Sequence, residues 1–278
     1  MFKVVIFTGG EAPEVFKGNH WLNSSSNDCV IAADSGFENC LAYEKVPNLV
    51  IGDFDSTSQK KVEEFFANDL SKDFRDEDGE ELFLPKTDYK ILSWPKDKDY
   101  TDTELALIEA KNYAAAQCAT NCFNTKSKLF TILVGGDGGR LDHLFGIHNL
   151  YKTENYPNVW LGKEQGIICL DSKTDFHTLE ISNLQKDSVI SVFPIFPQNL
   201  EQSKYQVESE NLKWDLSLVN WEENQLSLSN RLENPETKTC KISAKTGRFI
   251  VFVPLYALVN IDKYKTKFDA NVNVVGDL

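Results

Sequence analysis

The chain has 278 residues, 41% of them hydrophobic, enough to fill one large or two medium cores, so general disorder is not expected. Acidic residues outnumber basic ones 42 to 29, giving a formal charge of −13, and no run rich in lysine and arginine interrupts that field; nucleic acid is therefore excluded as an expected partner. A nucleotide remains acceptable, because magnesium can screen its phosphates and a few local cations can grip them.

The six cysteines (Cys29, Cys40, Cys118, Cys122, Cys169, Cys240) are scattered through a chain too large for a disulfide scaffold, which fits reduced thiols in a cytoplasmic protein. Cys118 and Cys122 have a spacing that metal ligands can have, but no second close Cys/His pair joins them, and no zinc is assigned. Met1 to Phe7 is apolar without a long core or a small-residue cleavage site and reads as a first strand. The longest apolar stretch, Phe249 to Val259, is interrupted by Pro254 and too short to span a bilayer, so it is expected to be a buried strand with its continuation, and no membrane association is expected.

In chain order, the first half alternates short apolar runs with helix-like segments, the pattern of a mostly parallel sheet flanked by helices, Rossmann-like in class. Its strands are expected at Lys3–Phe7, Cys29–Ala33, Leu49–Ile51, Lys90–Ser93 and Leu129–Val134. Four of them run directly into turn residues: Thr8-Gly9-Gly10, Asp34-Ser35-Gly36, Gly52-Asp53 and Gly135-Gly136. Ligands of open parallel sheets bind beyond the carboxyl ends of strands, so these points converge on one expected crevice. From about Trp160 the texture changes to short alternating runs, Ser188–Phe193, Gln225–Ser229, Thr239–Ala244 and Phe249–Val253, which predict an antiparallel β-sandwich. The expected organisation is an α/β catalytic domain at 1–155, a β-sandwich domain at 160–262 and a tail at 263–278, with the boundary near 152–160. An acidic stretch at 68–81 reads as a solvated insertion, because no hydrophobic frame holds its carboxylates in one geometry.

Three segments carry chemistry. Gly52-Asp53-Phe54-Asp55-Ser56 follows an apolar strand, and residues two apart on an extended segment point to one side, so Asp53 and Asp55 can face one hard cation. In Asp97-Lys98-Asp99-Tyr100-Thr101-Asp102-Thr103-Glu104, Thr101 and Glu104 have capping-box spacing and predict a helix start. Lys98 beside that helix start suits an anion, and Asp102 in the first turn can reach a metal bridging the same phosphates. Gly135-Gly136-Asp137-Gly138-Gly139-Arg140-Leu141-Asp142-His143 combines glycines that allow close backbone approach with an arginine suited to bidentate phosphate recognition. His143, just inside a helix, is taken as structural.

In this order, each after an expected strand, these segments resemble the thiamine pyrophosphokinase family, whose pattern is a strand-end Asp-Gly-Gly, then Gly-Asp-x-Asp-Ser, then Asp-x-x-x-Thr-Asp, then a Gly-Gly-Arg-x-Asp-His-like turn. The second domain also matches: Asn211-Leu212-Lys213-Trp214-Asp215-Leu216 is similar to the family's Gly-Leu-Lys-Trp-x-Leu, and Leu228-Ser229-Asn230 to its Ser-Asn pair. The resemblance covers about residues 1–255. Ser35 and Asn211 stand where the family has glycine, and Leu232 stands near the position of a ring-stacking aromatic.

The resemblance implies a homodimeric enzyme, with ATP and Mg2+ on the first domain and thiamine held between that domain and the second domain of the partner. It implies Asp53, Asp55 and Asp102 as catalytic metal ligands. Around ATP it implies Asp34, Lys98, Asp99, Thr101, Gly136, Gly138, Gly139 and Arg140, with Asp142 touching a substrate or holding the loop. Ser229, Asn230 and Leu232 are the expected thiamine contacts, with Trp214 or Trp221 as a substitute stacking ring. The thiamine hydroxyl would attack the β-phosphorus of ATP with AMP leaving, without a covalent enzyme intermediate and with no general base assigned. A pyrophosphokinase of another heterocyclic alcohol, such as a hydroxymethyl pterin, and a non-catalytic nucleotide or thiamine sensor are the alternatives; retention of all three aspartates favours an enzyme.

Overall fold

The computed structural model describes residues 2–22, 29–55, 59–69, 90–120, 129–196, 205–223 and 225–261; Ser56, Cys122, the acidic stretch after residue 69 and the 263–278 tail lie outside them. The chain forms two compact units, Met1–Ala12 with Ser26–Leu144 and Pro13–Ser25 with Phe145–Leu278.

The first unit contains five parallel strands, β1 (Phe2–Phe7), β2 (Cys29–Ala33), β3 (Leu49–Gly52), β4 (Lys90–Ser93) and β5 (Leu129–Val134), in the order β5-β1-β2-β3-β4. These strands are the five expected, within one residue at each end. Val4, Ile6 and Phe7 of β1, Ile31 and Ala32 of β2 and Ile132, Leu133 and Val134 of β5 are all fully buried. Such unbroken apolar runs are what a parallel sheet requires, because helices cover both faces. The helices, numbered along the chain, are α1 (Val15–Leu22), which belongs to the second unit, α2 (Gly36–Ala42), α3 (Gln59–Asp69) and α4 (Asp102–Thr120). Helix α4 starts where the capping spacing predicts, with the Glu104 N–H donating to Thr101 Oγ1 at 3.2 Å. It lays Leu105, Ala106, Leu107 and Ala110 against β1, β2, β3 and β5.

Strand order fixes where a ligand can sit. The chain steps outward from β1 through β2 and β3 to β4, then returns to place β5 on the other side of β1. The connections leaving β1 and β5 therefore diverge, and the crevice between their carboxyl ends is the topological switch point of the sheet. Both expected glycine turns lie there.

In the second unit, after α5 (Leu141–Leu150) whose first residues belong to the first unit, come β6 (Val159–Leu161), β7 (Gln165–Asp171), β8 (Thr178–Ser182), β9 (Ile190–Ile195), β10 (Gln206–Glu210), β11 (Ser227–Asn230), β12 (Cys240–Thr246), β13 (Arg248–Pro254) and β14 (Leu258–Ile261). They build two antiparallel sheets, β11-β9-β13-β7-β6 and β10-β12-β8-β14, with β12 of one touching β7 of the other. The Phe249–Val259 stretch is a buried strand and its continuation, with a turn at Leu255 and Tyr256 leading into β14.

A buried cation pins this unit. Arg248 Nε donates to Asp171 Oδ2 at 2.8 Å, while its Nη1 donates to the carbonyls of Tyr151 (2.6 Å) and Thr153 (2.8 Å). The guanidinium lies 3.9 Å from the centre of the Tyr156 ring, and both side chains of the pair are 7% exposed. Removing one partner leaves a buried, uncompensated charge, which costs about 3–5 kcal/mol, whereas an apolar pair of similar volume is often tolerated. Asp171→Asn is therefore expected to lower the thermal midpoint clearly, and the double change Asp171→Leu with Arg248→Met to recover part of that loss, as read by circular-dichroism melting.

Candidate active site

Each strand of the first unit delivers a functional group at its carboxyl end. Asp34, directly after β2, takes φ 44°, and Phe54, between Asp53 and Asp55 after β3, takes φ 57°. These left-handed residues turn the chain sharply enough that the carboxylates of Asp34, Asp53 and Asp55 come within 4.8 Å of one another. Three hard oxygen donors at that spacing suit a divalent cation such as magnesium. Asp34 is 9% exposed, so its charge in particular calls for a counter-charge.

Beside this group, Lys98 supplies a counter-charge to Asp53 and Asp102. Its Nζ lies 3.0 Å from Asp53 Oδ2 and 3.1 Å from Asp102 Oδ1, with the lysine side chain only 10% exposed. Burial raises the Asp53 carboxyl, but the Lys98 hydrogen bond and charge, together with the Asp55 N–H at 3.2 Å, outweigh it and leave Asp53 below the ordinary carboxylate range. Burial also disfavours the charged lysine, and here the two aspartates prevail and raise Lys98. At Asp102 burial dominates and raises the carboxyl despite the lysine, with the charges of Asp53 and Asp34 pushing the same way. The structure thus brings Asp53, Asp55 and Asp102 to one crevice, but Asp34 supplies the third carboxylate of the close group and Asp102 is engaged by Lys98.

The glycine turns after β1 and β5 form a single stitched unit. Gly136 N–H donates to Gly9 O at 2.7 Å, Glu11 N–H to Asp137 O at 2.6 Å and Asp137 N–H to Glu11 O at 3.2 Å. Gly135, Gly136, Gly138 and Gly139 all have positive φ between 64° and 97°, a run that side-chain-bearing residues do not sustain. Arg140 and Asp142 leave this turn on the surface, paired to each other at 2.6 Å; the surface pair raises the arginine and lowers the aspartate but contributes little stability. Asp99, Thr101 and His143 are exposed as well. Close packing fixes the first turn of α2: a Cβ on Gly36 would meet the Phe7 carbonyl oxygen at 2.1 Å, and Ser35, where a glycine was expected, places its Oγ against Gly9 instead.

The family profile described as "Thiamin pyrophosphokinase, catalytic domain" matches residues 21–161, just over half of the chain. The chain belongs to the thiamin pyrophosphokinase family. Among solved structures, thiamin pyrophosphokinase from Candida albicans is similar at 16% identity and TM-score 0.58, over 91% of this chain and 88% of that one. A thiamin pyrophosphokinase family protein from Enterococcus faecalis is similar at 18% identity and TM-score 0.56, over 91% and 99%. Yeast thiamin pyrophosphokinase is similar at 16% identity and TM-score 0.53, over 91% and 86%. At these identities the likeness establishes a shared fold; no match was found among curated protein sequences.

In the second unit of this thiamin pyrophosphokinase family member, the expected thiamine contacts separate. Ser229 is exposed and has φ 56°, with its N–H donating to Ser191 Oγ at 3.2 Å. Asn230 is fully buried and works on the backbone of Trp214: its Oδ1 accepts from Trp214 N–H at 3.2 Å and its Nδ2 donates to Trp214 O at 2.7 Å. Leu232 does not face a ligand space as expected. It is 4% exposed and bridges to Leu212, so it fills core. Trp221 is also core, 2% exposed with its indole N–H on Leu216 O at 3.1 Å. Trp214 alone of the three candidates presents its ring, 49% exposed, with Lys213 and Arg231 at 5.8 and 5.4 Å from it. Asn211 takes the φ of 60° that a glycine would take, and its amide donates to Thr237 Oγ1 (2.7 Å) and Thr239 O (2.6 Å).

Sequence reasoning missed the role of three side chains that shape the glycine turns. Asn39, on α2, donates from Nδ2 to Thr8 O at 2.8 Å and to Gly10 O at 3.0 Å, and Thr8 Oγ1 meets Thr103 Oγ1 of α4 at 2.7 Å. No motif gave them this role, because an amide in a helix and two threonines acquire it only through tertiary contact. Each neutral hydrogen bond contributes about 1 kcal/mol net. Asn39→Leu is therefore expected to speed amide hydrogen exchange at Glu11 and Gly136 by about tenfold or more, with little change in the β1 interior.

Proposed function

We propose that this protein is an ATP-dependent thiamine pyrophosphokinase, transferring diphosphate from ATP to the thiamine hydroxyl and giving thiamine diphosphate and AMP. The observation that carries the reading is the group of three carboxylates after β2 and β3, on the same sheet edge as the paired glycine turns at the switch point between β1 and β5, in a member of this family. A sensor would have no need of this many like charges in one crevice, whereas diphosphate transfer needs a divalent cation against phosphate.

In this reading Asp53 and Asp55, with Asp34, hold magnesium, which when bound neutralises phosphate charge and helps align the transferred group. Lys98 and Arg140 grip phosphates, Lys98 as a compact charge and Arg140 by its planar fork. The turn at Gly136, Gly138 and Gly139 lets backbone approach the nucleotide, and Asp99, Thr101 and Asp142 border it. What these residues do is position the hydroxyl and the β-phosphorus in line and exclude competing geometries. Thiamine lies against the second unit, where Ser229 lines the pocket, Trp214 offers the stacking ring and Asn230 holds the Trp214 backbone.

The proposed active species is a cytoplasmic homodimer sharing its sites between chains. Exposed apolar side chains favour such pairing: Leu218 is 84%, Phe16 76%, Leu141 70%, Phe145 65% and Leu228 59% exposed. No helix among the described residues is long and apolar enough to cross a membrane.

AMP formation from ATP with thiamine, against a panel of other heterocyclic alcohols, tests the substrate; preference for another alcohol overturns it. Asp53→Asn and Asp55→Asn are each expected to cut kcat at least a hundredfold with the fold retained, since the amide keeps shape and loses charge. Wild-type turnover by both at limiting magnesium would refute the metal assignment. Trp214→Ala is expected to raise the thiamine KM several-fold with the ATP KM nearly unchanged, consistent with about 0.5–2 kcal/mol for a ring–cation contact. Mixing Asp55→Asn chains with Ser229→Ala chains is expected to restore activity in verified heterodimers.

A further inference from the structure

Lys98 occupies an unusual place for a phosphate-gripping residue. Its ammonium lies between Asp53, a member of the close carboxylate group, and Asp102, which stands outside that group, and it is 10% exposed. Its loop is short and closes into the first turn of α4, so the ammonium reaches both carboxylates without leaving the crevice. Lys96 adds a looser charge, 3.9 Å from Asp55 and mostly exposed. Among the described residues, Lys98 thus offsets Asp53 and Asp102 from inside the crevice, and Lys96 lies near Asp55 from its rim. Carboxylates at such separations do not all ionise unless cations offset them.

We propose that Lys98 is a resident counter-cation that yields its place: in the metal-free protein it holds Asp53 and Asp102, and when a divalent cation arrives with the nucleotide it transfers to the phosphates. The inference rests on the metal and ATP assignment above and adds an order of events to it. A divalent cation entering alone must settle next to a trapped ammonium that has nowhere better to go, so it binds weakly. A cation entering as the metal–nucleotide complex brings phosphate oxygens that accept the displaced ammonium. The lysine stem is flexible and its head is a compact charge, properties that suit a group moving between carboxylate and phosphate. Asp102, masked by Lys98 until then, becomes available to the bound complex. A permanent structural salt bridge has the opposite consequence: removing the lysine would loosen the carboxylates and leave metal binding unchanged or weaker.

Mn2+ binding, followed by electron paramagnetic resonance with and without ATP, separates these cases for the full-length wild type, Lys98→Met and Lys98→Gln. Without nucleotide, both variants are expected to bind Mn2+ about tenfold more tightly than wild type, the scale for losing one like charge a few ångströms away at intermediate screening. With ATP present, both are expected to bind the Mn2+–ATP complex several-fold more weakly than wild type. Lys98→Gln keeps a donor to Asp53 and guards against a folding failure of Lys98→Met. Unchanged or weaker Mn2+ binding without nucleotide, in either variant with a wild-type melting curve, overturns the proposal. Failure of the wild type to form AMP from ATP and thiamine would instead overturn the functional reading, and is a separate measurement.

Discussion

Like-charge repulsion among carboxylates is the constraint around which the first unit is arranged. Asp34, Asp53 and Asp55 converge within 4.8 Å, and Asp102 approaches from the start of α4 with Lys98 between it and Asp53. Water alone stabilises such a cluster poorly when part of it is buried. The fold therefore has to supply both the rigidity that keeps the groups together and a cation that offsets them. Rigidity comes from the parallel sheet, whose strands end in register at one edge, and from left-handed turns at Asp34 and Phe54.

The same edge answers a second electrostatic demand. A highly acidic protein that takes a nucleotide must confine its attraction for phosphate to a few sites, since its long-range field is repulsive. In the proposed reading the glycine turns, Lys98 and Arg140 are local in this sense. Asn39 and the Thr8–Thr103 contact keep the turn after β1 seated against the turn after β5, so that close backbone approach is built in rather than ordered at the moment of binding. In the second unit Asn230 does the equivalent for Trp214, spending a fully buried amide on both backbone groups of one exposed aromatic residue.

Much of this was legible in the sequence. Four of the five parallel strands announce themselves because each is a mostly apolar run leading into a turn of glycine or aspartate, and the helix start at Asp102 because Thr101 and Glu104 have capping spacing. Strands β6, β7, β8, β10 and β14 did not announce themselves. β7 is apolar almost throughout without alternation, whereas β10 is polar at most positions and pairs by backbone hydrogen bonds that leave no periodic trace. Within the site, the role of Asp34 depends on a left-handed φ that an aspartate does not advertise, and the Lys98 bridge depends on a register between two loops. Leu232 departs from its expected environment for a related reason: spacing from Ser229 and Asn230 says which residues are near, but the bridge between Leu212 and Leu232 turns Leu232 inward.

The carboxylate group is where the account can be tested most directly. Anomalous diffraction from crystals grown with Mn2+ and a non-hydrolysable ATP analogue would locate the cation without reference to activity. The account predicts a peak coordinated by Asp53 and Asp55, with Asp34 at the same ion, at about 2.1 Å, the distance of a small hard divalent cation from oxygen. A peak touching neither Asp53 nor Asp55 would contradict it.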